Sequence, residues 1–339
     1  MTKNELFAKL PALLKDDKIL LLTHTDMDGS GPVVLLKTLF KDVSVRHCTN
    51  AAMSTAIRNA VFNSDEFDKI VVCDISCTDE DAEIINKCRG RSKLVLLDHH
   101  LTAMGLNQYD WAIVQDRVPE DSYRAKYYSK EQNGSTSGTS LLYDYLEECG
   151  FEFPNKAVAE SIVNLIAGYD TWDWVNCFNS EPIYNDFNTL FTAYGAEIFE
   201  ERCIEKIANG GETIDAADKL ILRIEQAKID AHLENAKRGV RSGNMKIEEK
   251  YYSCALLYTD KYLNPCFDMM QSLYPELDLY IINYGTGISV RTGTDVNVGL
   301  LVKAVGGGGH AGAGGVKVDR DMLDAVTEKT LNGVFYPDK

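Results

Sequence analysis

Three short apolar segments, each followed at once by an acidic or histidine residue, most strongly constrain how this chain can fold. The segments are residues 19–23, 69–73 and 93–97, and the residues after them are His24, Asp74 and Asp98. Continuous runs of leucine, isoleucine and valine of this length are typical of strands that are buried on both faces of a parallel sheet. Residues 4–15 and 33–40 carry helical patterns, as do other segments between the strands, so we predict a doubly wound, mainly parallel α/β domain. The polar ends of its strands should meet at one edge.

The loop after the first segment carries the densest set of such residues. His24, Asp26 and Asp28 alternate with other residues and lead into Gly29. In an extended segment, side chains two residues apart point the same way, so we expect all three to converge. Carboxylates and imidazoles are good ligands for divalent cations and poor packing material. A polar loop with accidental spacing is the alternative. His47 has no motif around it, so we expect it to be a surface or core histidine.

Composition limits the class of protein. The chain has 339 residues, enough for two domains, and a net charge of −16 from 35 basic and 51 acidic residues. Proteins that hold long duplex DNA through its phosphates have the opposite balance, so such DNA is not an expected partner. The chain has nine cysteines but no CxxC pair, which predicts reduced thiols. It also shows no leader-like apolar segment and no apolar run of membrane-spanning length, so we expect a cytoplasmic protein. Composition does not indicate the oligomeric state.

The second half of the chain has a different character. Residues 213–238 predict a long charged helix that connects two lobes. Strand-like segments follow, among them a hairpin of residues 277–283 with 287–292, then a glycine run over residues 306–315 and a final helix over residues 322–330. Such a run is either a loop whose backbone closely approaches a ligand or a flexible linker. We predict a first domain over residues 1–200, a helical connector over 201–243 and a smaller α/β domain over 244–339.

Taken together, the motifs resemble those of the DHH phosphoesterase family. In chain order they are His24-x-Asp26-x-Asp28-Gly29, Asp74, Asp98-His99-His100 and Asp170 in Tyr169-Asp170-Thr171-Trp172. Asp173 lies close to the last motif and competes with Asp170 for its role. The second domain, with Arg291 and a glycine run that includes His310, resembles the DHH-associated C-terminal domain of oligoribonuclease-type members.

The resemblance implies two divalent metal ions, which in this family are usually manganese. One ion would be held by His24, Asp26 and Asp74, and the other by Asp28, Asp74, His99 and Asp170. Asp74 would then bridge the two ions, as suits carboxylate-rich sites that bind Mn²⁺.

The resemblance also implies roles for residues that do not bind metal. Asp98 would orient a histidine, and His100 would contact the scissile phosphate or protonate the leaving oxygen. In the second domain the substrate phosphate would be bound by Arg291, Gly308, Gly309 and His310.

The implied activity is hydrolysis of phosphodiester or terminal phosphate bonds in short oligoribonucleotides (nanoRNA) or small nucleotides. Linear or cyclic dinucleotides and 3′,5′-bisphosphonucleosides are candidate substrates, and we expect a preference for about two to five nucleotides because the chain is acidic. One alternative is an inorganic pyrophosphatase, against which the glycine run argues. Another is a nucleotide sensor that binds without hydrolysis, against which the complete acidic set argues.

Overall fold

The computed structural model describes residues 1–129, 132, 134–247, 249–309, 311–319, 321–323, 325 and 329. The chain divides into two units, Met1–Leu222 and Arg223–Lys339. The domain boundaries predicted at residues 200 and 243 remain predictions. Within the part of the chain that is described, no helix has both the length and the apolar character needed to cross a bilayer.

The first unit is built on a parallel sheet of five strands in the order β2-β1-β3-β4-β5. The strands are β1 (Ile19–Thr23), β2 (Val43–His47), β3 (Lys69–Cys73), β4 (Leu94–Asp98) and β5 (Ala112–Val114). Every neighbouring pair is parallel, and Thr23 at the end of β1 lies opposite both His47 and Cys73. The carboxyl ends of β1, β2 and β3 are therefore level with one another, which places the residues that follow them at one edge.

Helices cover both faces of this sheet. They are α1 (Lys3–Phe7), α2 (Met27–Leu39), α3 (Asn50–Phe62), α4 (Asp79–Asn86), α5 (Gly138–Glu148), α6 (Lys156–Asp170), α7 (Asp173–Asn176), α8 (Pro182–Tyr194) and α9 (Ala196–Asn209). Alternate strand residues enter different cores: Val71 packs with α2, α5 and α6, whereas Val72 packs with α3 and α4. The predicted doubly wound α/β fold is confirmed.

Two predicted helices have different bounds. The helix expected over residues 4–15 ends at Phe7, ahead of Pro11, which has no N–H to continue a helical ladder. The helix expected from residue 33 begins at Met27 and contains Pro32. Pro32 cannot donate to the carbonyl oxygen of Asp28, but the hydroxyl of Thr139 donates to that oxygen instead, at 2.8 Å. A contact from α5 thus compensates for the proline within α2.

The second unit contains a mixed sheet of six strands in the order β10-β11-β9-β8-β7-β6. The strands are β6 (Arg241–Ile247), β7 (Lys250–Tyr258), β8 (Leu279–Asn283), β9 (Gly287–Thr292), β10 (Gly308–Gly309) and β11 (Ala313–Lys317). The helices are α10 (Ala216–Ala236), which begins in the first unit, α11 (Leu263–Leu273) and α12 (Val298–Lys303). Strands β8 and β9 form the predicted hairpin. The sequence did not suggest β6 or α11, and the final helix predicted over residues 322–330 lies mostly outside the described residues.

Candidate metal centre

The sequence motifs of the first unit meet at the carboxyl edge of the parallel sheet. Strands β1, β3 and β4 lead directly into the first three motifs, and α6 ends at Asp170. Three groups of side chains have ligand-type atoms that lie within 4.8 Å of one another. The groups are His24 with Asp26 and Asp74; Asp28 with His99 and Asp170; and Asp74 with Asp98, His99 and His100. The structure thus brings together all the first-unit residues that the motifs indicated.

The first group surrounds the loop that follows β1. Nδ1 of His24 lies 2.6 Å from Oδ2 of Asp26 and 4.0 Å from Oδ2 of Asp74. Oδ1 of Asp26 accepts a hydrogen bond from the backbone N–H of Gly29 at 2.9 Å and so caps α2. Among the described residues, the buried Oδ2 of Asp74 has no hydrogen-bond partner. One oxygen of Asp26 therefore holds the helix while the other faces His24.

The second group surrounds His99. Its Nε2 lies 3.3 Å from Oδ1 of Asp74, 3.5 Å from Oδ2 of Asp170 and 3.9 Å from Oδ2 of Asp28. Asp74 therefore lies between the two groups, with Oδ2 on the side of His24 and Oδ1 on the side of His99. Oδ2 of Asp170 is also buried and has no hydrogen-bond partner in the described part of the chain.

Asp28 is placed at this centre by a helix and not by the extended loop that the sequence predicted. An extended loop would place His24, Asp26 and Asp28 on one side, but α2 begins at Met27, so Asp28 belongs to the first helical turn. Its carboxylate accepts hydrogen bonds from the backbone N–H groups of Gly138 at 2.7 Å and Thr139 at 3.1 Å. The expectation that all three side chains converge through extended geometry is wrong, because Asp28 joins His99 rather than His24.

Close contact between β3 and α5 fixes the backbone of Asp74. Asp74 has a φ of 64°, which is uncommon for a residue other than glycine, and its N–H donates to the carbonyl of Leu97 at 3.0 Å. At position 138 a Cβ would lie 2.6 Å from the Cβ of Asp74, so only glycine fits there. The first N–H groups of α5 can therefore approach the carboxylates closely, where the helix dipole favours negative charge.

Asp98 orients His100. Oδ1 of the buried Asp98 accepts hydrogen bonds from Nδ1 of His100 at 2.7 Å and from the backbone N–H of His99 at 2.8 Å. Nδ1 of His100 must carry the proton, because the carboxylate only accepts. The His100 side chain is 54% exposed. Nε2 is thus the ring nitrogen that this arrangement leaves for contact with a substrate.

The electrostatics of the centre fit a divalent cation. Burial raises the pKa of Asp74 well above its usual range, and the charges of Asp28, Asp26 and Asp170 raise it further. Burial, followed by the charge of Asp28, does the same to the pKa of Asp170. Burial also lowers the pKa of His99, which favours the neutral imidazole that a metal binds. Crowded carboxylates with unpaired buried oxygens beside a neutral imidazole form a donor set that a divalent cation would stabilise.

The structure distinguishes Asp170 from Asp173. Oδ2 of Asp173 accepts hydrogen bonds from the hydroxyl of Tyr128 at 2.7 Å and from the backbone N–H of Ser135 at 3.0 Å. The same oxygen lies 3.8 Å from Nη2 of Arg124, whose side chain is almost fully buried. Asp173 therefore compensates a buried charge, whereas Asp170 belongs to the acidic centre.

His47 and Glu200 join this region although no motif indicated them. Nδ1 of His47, at the end of β2, donates a hydrogen bond to the backbone carbonyl of His24 at 2.7 Å. Nε2 of the same ring lies 3.4 Å from Oε1 of the buried Glu200, which also accepts a hydrogen bond from Ser30 at 2.9 Å. The hydrogen bond with Glu200 raises the pKa of His47. The sequence feature that could have indicated His47 is its position at the end of a β-rich segment, which resembles the position of His24.

The residues predicted in the second unit share one sheet. Arg291 in β9 pairs with Ala313 of β11, and Gly308 and Gly309 pair with the same strand. Nη2 of Arg291 donates to Oδ1 of Asn264 at 2.6 Å, and its guanidinium lies 4.8 Å from the centre of the Phe267 ring. The glycine run is not a flexible linker over its described part, because it forms strand pairs. His310 lies outside the described residues, and the role of this group in substrate binding remains a prediction.

Comparison with known proteins gives a family match over part of the chain. Residues 18–168 match the model of the DHH family, N-terminal domain. Oligoribonuclease NrnB of Bacillus subtilis (strain 168) is 29% identical over 314 residues, which cover 90% of this chain and 74% of that protein.

Two solved structures are also similar. The pGpG-specific phosphodiesterase PggH of Vibrio cholerae is 15% identical, covers 93% of this chain and 98% of its own, and has a TM-score of 0.48. RecJ of Thermus thermophilus in complex with Mn²⁺ is 12% identical, with 96% of this chain and 52% of that chain covered, and has a TM-score of 0.49.

From the family match, residues 18–168 form a DHH-family N-terminal domain, which confirms the family recognised from the motifs.

Proposed function

We propose that this protein is a metal-dependent phosphodiesterase that hydrolyses short oligoribonucleotides or small nucleotides. The observation that carries the proposal is the position of Asp74 between two groups of ligand-type side chains. Nδ1 of His24 lies 4.0 Å from Oδ2 of Asp74, and Nε2 of His99 lies 3.3 Å from its Oδ1. A carboxylate placed in this way suits a bridge between two cations. Neither a packing role nor a site for a single metal requires a carboxylate in this position.

The residues present divide naturally between two cations, for which manganese is the proposed identity. One cation would be held by His24, Asp26 and Asp74, and the other by Asp28, Asp74, His99 and Asp170. When bound, a pair of divalent cations generates a nucleophile from water near neutral pH and offsets the negative charge that develops on phosphoryl oxygens.

Other residues of the chain position the reacting groups. Asp98 holds Nδ1 of His100 and leaves Nε2 for a phosphoryl oxygen or the leaving oxygen, to which the protonated imidazole would supply a hydrogen bond or a proton. The hydrogen bond with Asp98 raises the pKa of His100 and so favours this protonated form. Two backbone N–H groups of α5 hold the Asp28 carboxylate in place. His47 holds the backbone of the His24 loop. These contacts hold the ligand-type side chains and His100 in fixed positions relative to one another.

Charge and family support a small substrate. The net charge of −16 repels a long polyanion, whereas a short nucleotide is bound mainly through local contacts. The relative that matches 90% of this chain is named an oligoribonuclease. In the second unit, Arg291 and the Gly308–Gly309 strand share a sheet with β11, and we assign them, with His310, to binding of substrate phosphate.

The test measures kcat/KM for single-stranded RNAs of increasing length, for cyclic and linear dinucleotides, for a 3′,5′-bisphosphonucleoside and for pyrophosphate, with Mn²⁺ or with chelator. We expect chelator to abolish activity and efficiency to be highest for substrates of about two to five nucleotides. Turnover of pyrophosphate alone would overturn the assignment. Efficiency that rises with length and falls steeply with salt would instead indicate an exonuclease acting on long single strands.

A variant of the second unit tests the substrate-binding role separately from the metals. Arg291→Ala should lower kcat/KM by at least tenfold, because a charge-assisted hydrogen bond to phosphate contributes roughly 1.5–3 kcal/mol. The bound metal should be unchanged. Arg241→Ala, which removes an exposed arginine from β6 of the same sheet, is the matched control. Equal activity of the two variants on every substrate would remove Arg291 from the proposed site.

A further inference from the structure

Three aromatic rings on either side of Asp170 in the chain form a continuous stack. The rings of Tyr169 and Trp174 lie 6.2 Å apart with an interplanar angle of 16°. Trp174 in turn stacks on Trp172 at 6.3 Å and 26°. Tyr169 is anchored by a hydrogen bond of 2.9 Å that its hydroxyl accepts from Asn188. The outermost ring, that of Trp172, is 56% exposed, so one face of the stack is open to solvent.

The backbone holds Trp172 in an unfavourable conformation. Its φ of 59° and ψ of 11° are left-handed, a region that bulky residues rarely adopt. The N–H of Trp172 donates to the carbonyl of Tyr169, and its own carbonyl accepts from Val175 and Asn176. These bonds fix the turn and thereby hold a large apolar ring toward water. Strain of this kind, maintained by surrounding contacts, is characteristic of ligand-binding segments.

The stack also lies beside the acidic centre. Trp172 follows Asp170 by two residues, so their Cα atoms are at most about 7.6 Å apart, twice the distance between consecutive Cα atoms. Asp170 in turn has its Oδ2 3.5 Å from Nε2 of His99. An exposed indole whose backbone lies this close to the candidate metal centre suits the base of a nucleotide whose phosphate would bind at that centre.

We infer that Trp172 is a stacking platform for a nucleobase next to the scissile phosphate. This inference rests on the proposed function for its substrate class, since a base is present only if the substrate is a nucleotide. Stacking on an indole does not depend on the pattern of hydrogen-bonding groups of the base, so the platform would accept all four bases. It would select nucleotides over phosphoesters that have no planar ring, such as ribose phosphates.

The first experiment compares a diribonucleotide with analogues that lack the base on one side or the other of the phosphate. Trp172→Ala should lower kcat/KM for the complete dinucleotide by about five- to 150-fold, mainly through KM, as is typical for loss of one stacked base. It should leave turnover of one of the two abasic analogues equal to that of the unmodified protein. Trp172→Phe should retain most of the activity. Equal losses on the complete substrate and on both analogues, or no loss at all, would overturn the inference.

Two further variants separate loss of the ring from effects on the backbone. Trp172→Gly also removes the ring but relieves the left-handed strain, so it should match Trp172→Ala in activity while being more stable toward urea. Phe62→Ala removes another exposed aromatic ring of the first unit, 58% exposed at the end of α3, and should leave activity unchanged. Recovery of activity in Trp172→Gly would overturn the inference, because the effect would then belong to the backbone.

A binding measurement separates this inference from the proposed function. Adenosine 5′-monophosphate should quench the tryptophan fluorescence of the Mg²⁺-loaded protein, whereas ribose 5-phosphate should not, and Trp172→Phe should abolish the quench. If the protein hydrolyses no nucleotide but shows this pattern, the platform stands and the proposed function fails. If it hydrolyses nucleotides without any base-dependent quench, the platform fails and the proposed function stands.

Discussion

Nδ1 of His47 donates a hydrogen bond of 2.7 Å to the backbone carbonyl oxygen of His24. His47 is the last residue of β2 and lies opposite Thr23, the last residue of the neighbouring strand β1, which His24 follows directly. On its other side the His47 ring faces the buried Glu200, so the loop that carries His24 and Asp26 is tied through His47 to α9. A metal site built on a loop depends on such supports for its geometry.

We expect His47→Ala to weaken metal binding by the group of His24, Asp26 and Asp74. Loss of a contact that orients a ligand typically lowers metal affinity by about 10–100-fold. Calorimetric titration with Mn²⁺ measures this without any need for turnover. His232→Ala is the matched control, because His232 contacts Thr259 in the second unit. Equal Mn²⁺ affinities in the two variants would show that His47 does not support the site.

Asp74→Asn should abolish turnover and lower the bound metal, yet stabilise the metal-free protein. The carboxylate of Asp74 is buried beside like charges, and its Oδ2 has no hydrogen-bond partner among the described residues. Removal of an uncompensated buried charge should raise the free energy of unfolding by about 1–3 kcal/mol. Asparagine also tolerates the φ of 64°.

Metal analysis and urea unfolding in chelator measure the two effects of this substitution. Asp65→Asn, at an exposed position ahead of β3, should change neither quantity. Two equivalents of Mn²⁺ retained by the Asp74→Asn protein would contradict the bridging role.

Asp170→Asn and Asp173→Asn should have opposite profiles. Asp170 faces His99, so its amide variant should lose metal and activity while unfolding at the same or a higher urea concentration. Asp173 faces the buried Arg124, so its variant removes the carboxylate that pairs with this buried charge. Such a loss costs about 3–5 kcal/mol of stability. Greater metal loss in Asp173→Asn than in Asp170→Asn would reverse the assignment of these two residues.

Asp144 should make the stability of the protein depend on pH. Burial raises the pKa of Asp144 from 3.8 to about 7, although the hydrogen bond from Ser122 and the charge of Lys3 both act to lower it. Because the folded pKa lies above the unfolded value, its contribution to stability is fully present below about pH 4 and is lost as the pH rises through 7.

The free energy of unfolding of the unmodified protein should therefore fall by about 2 kcal/mol between pH 5 and pH 8 relative to that of Asp144→Asn. Urea unfolding at the two pH values, both in chelator, measures this difference. Parallel pH profiles for the two proteins would show that the Asp144 carboxyl titrates normally.

The sequence was sufficient to predict those features of the fold and of the site that depend on a local pattern of residues. The run from Ile19 to Thr23 indicated a buried strand because its side chains are apolar on both faces, and the acidic residues at strand ends indicated a shared edge because parallel strands align. The position of Asp28 in a helical turn could not be derived from the sequence. The start of α2 at Met27 depends on a cap by Asp26 and on Thr139, which belongs to a helix far along the chain.

Contacts between residues far apart in the chain were also hidden from the sequence. His47 became informative only once β2 was seen beside β1. The choice between Asp170 and Asp173 depended on Arg124, a buried cation in a short 3₁₀ helix that no periodic pattern indicates.

The distribution of the acidic centre along the chain has a consequence for the order in which it can form. His24 and Asp26 follow β1 and Asp74 follows β3, whereas Asp170 is the last residue of α6, which comes after the whole parallel sheet in the chain. The nascent chain therefore carries one of the two groups long before the other is made. A chain that is released early, anywhere before α6, folds around an incomplete centre, so premature termination within this unit yields a protein without the second group.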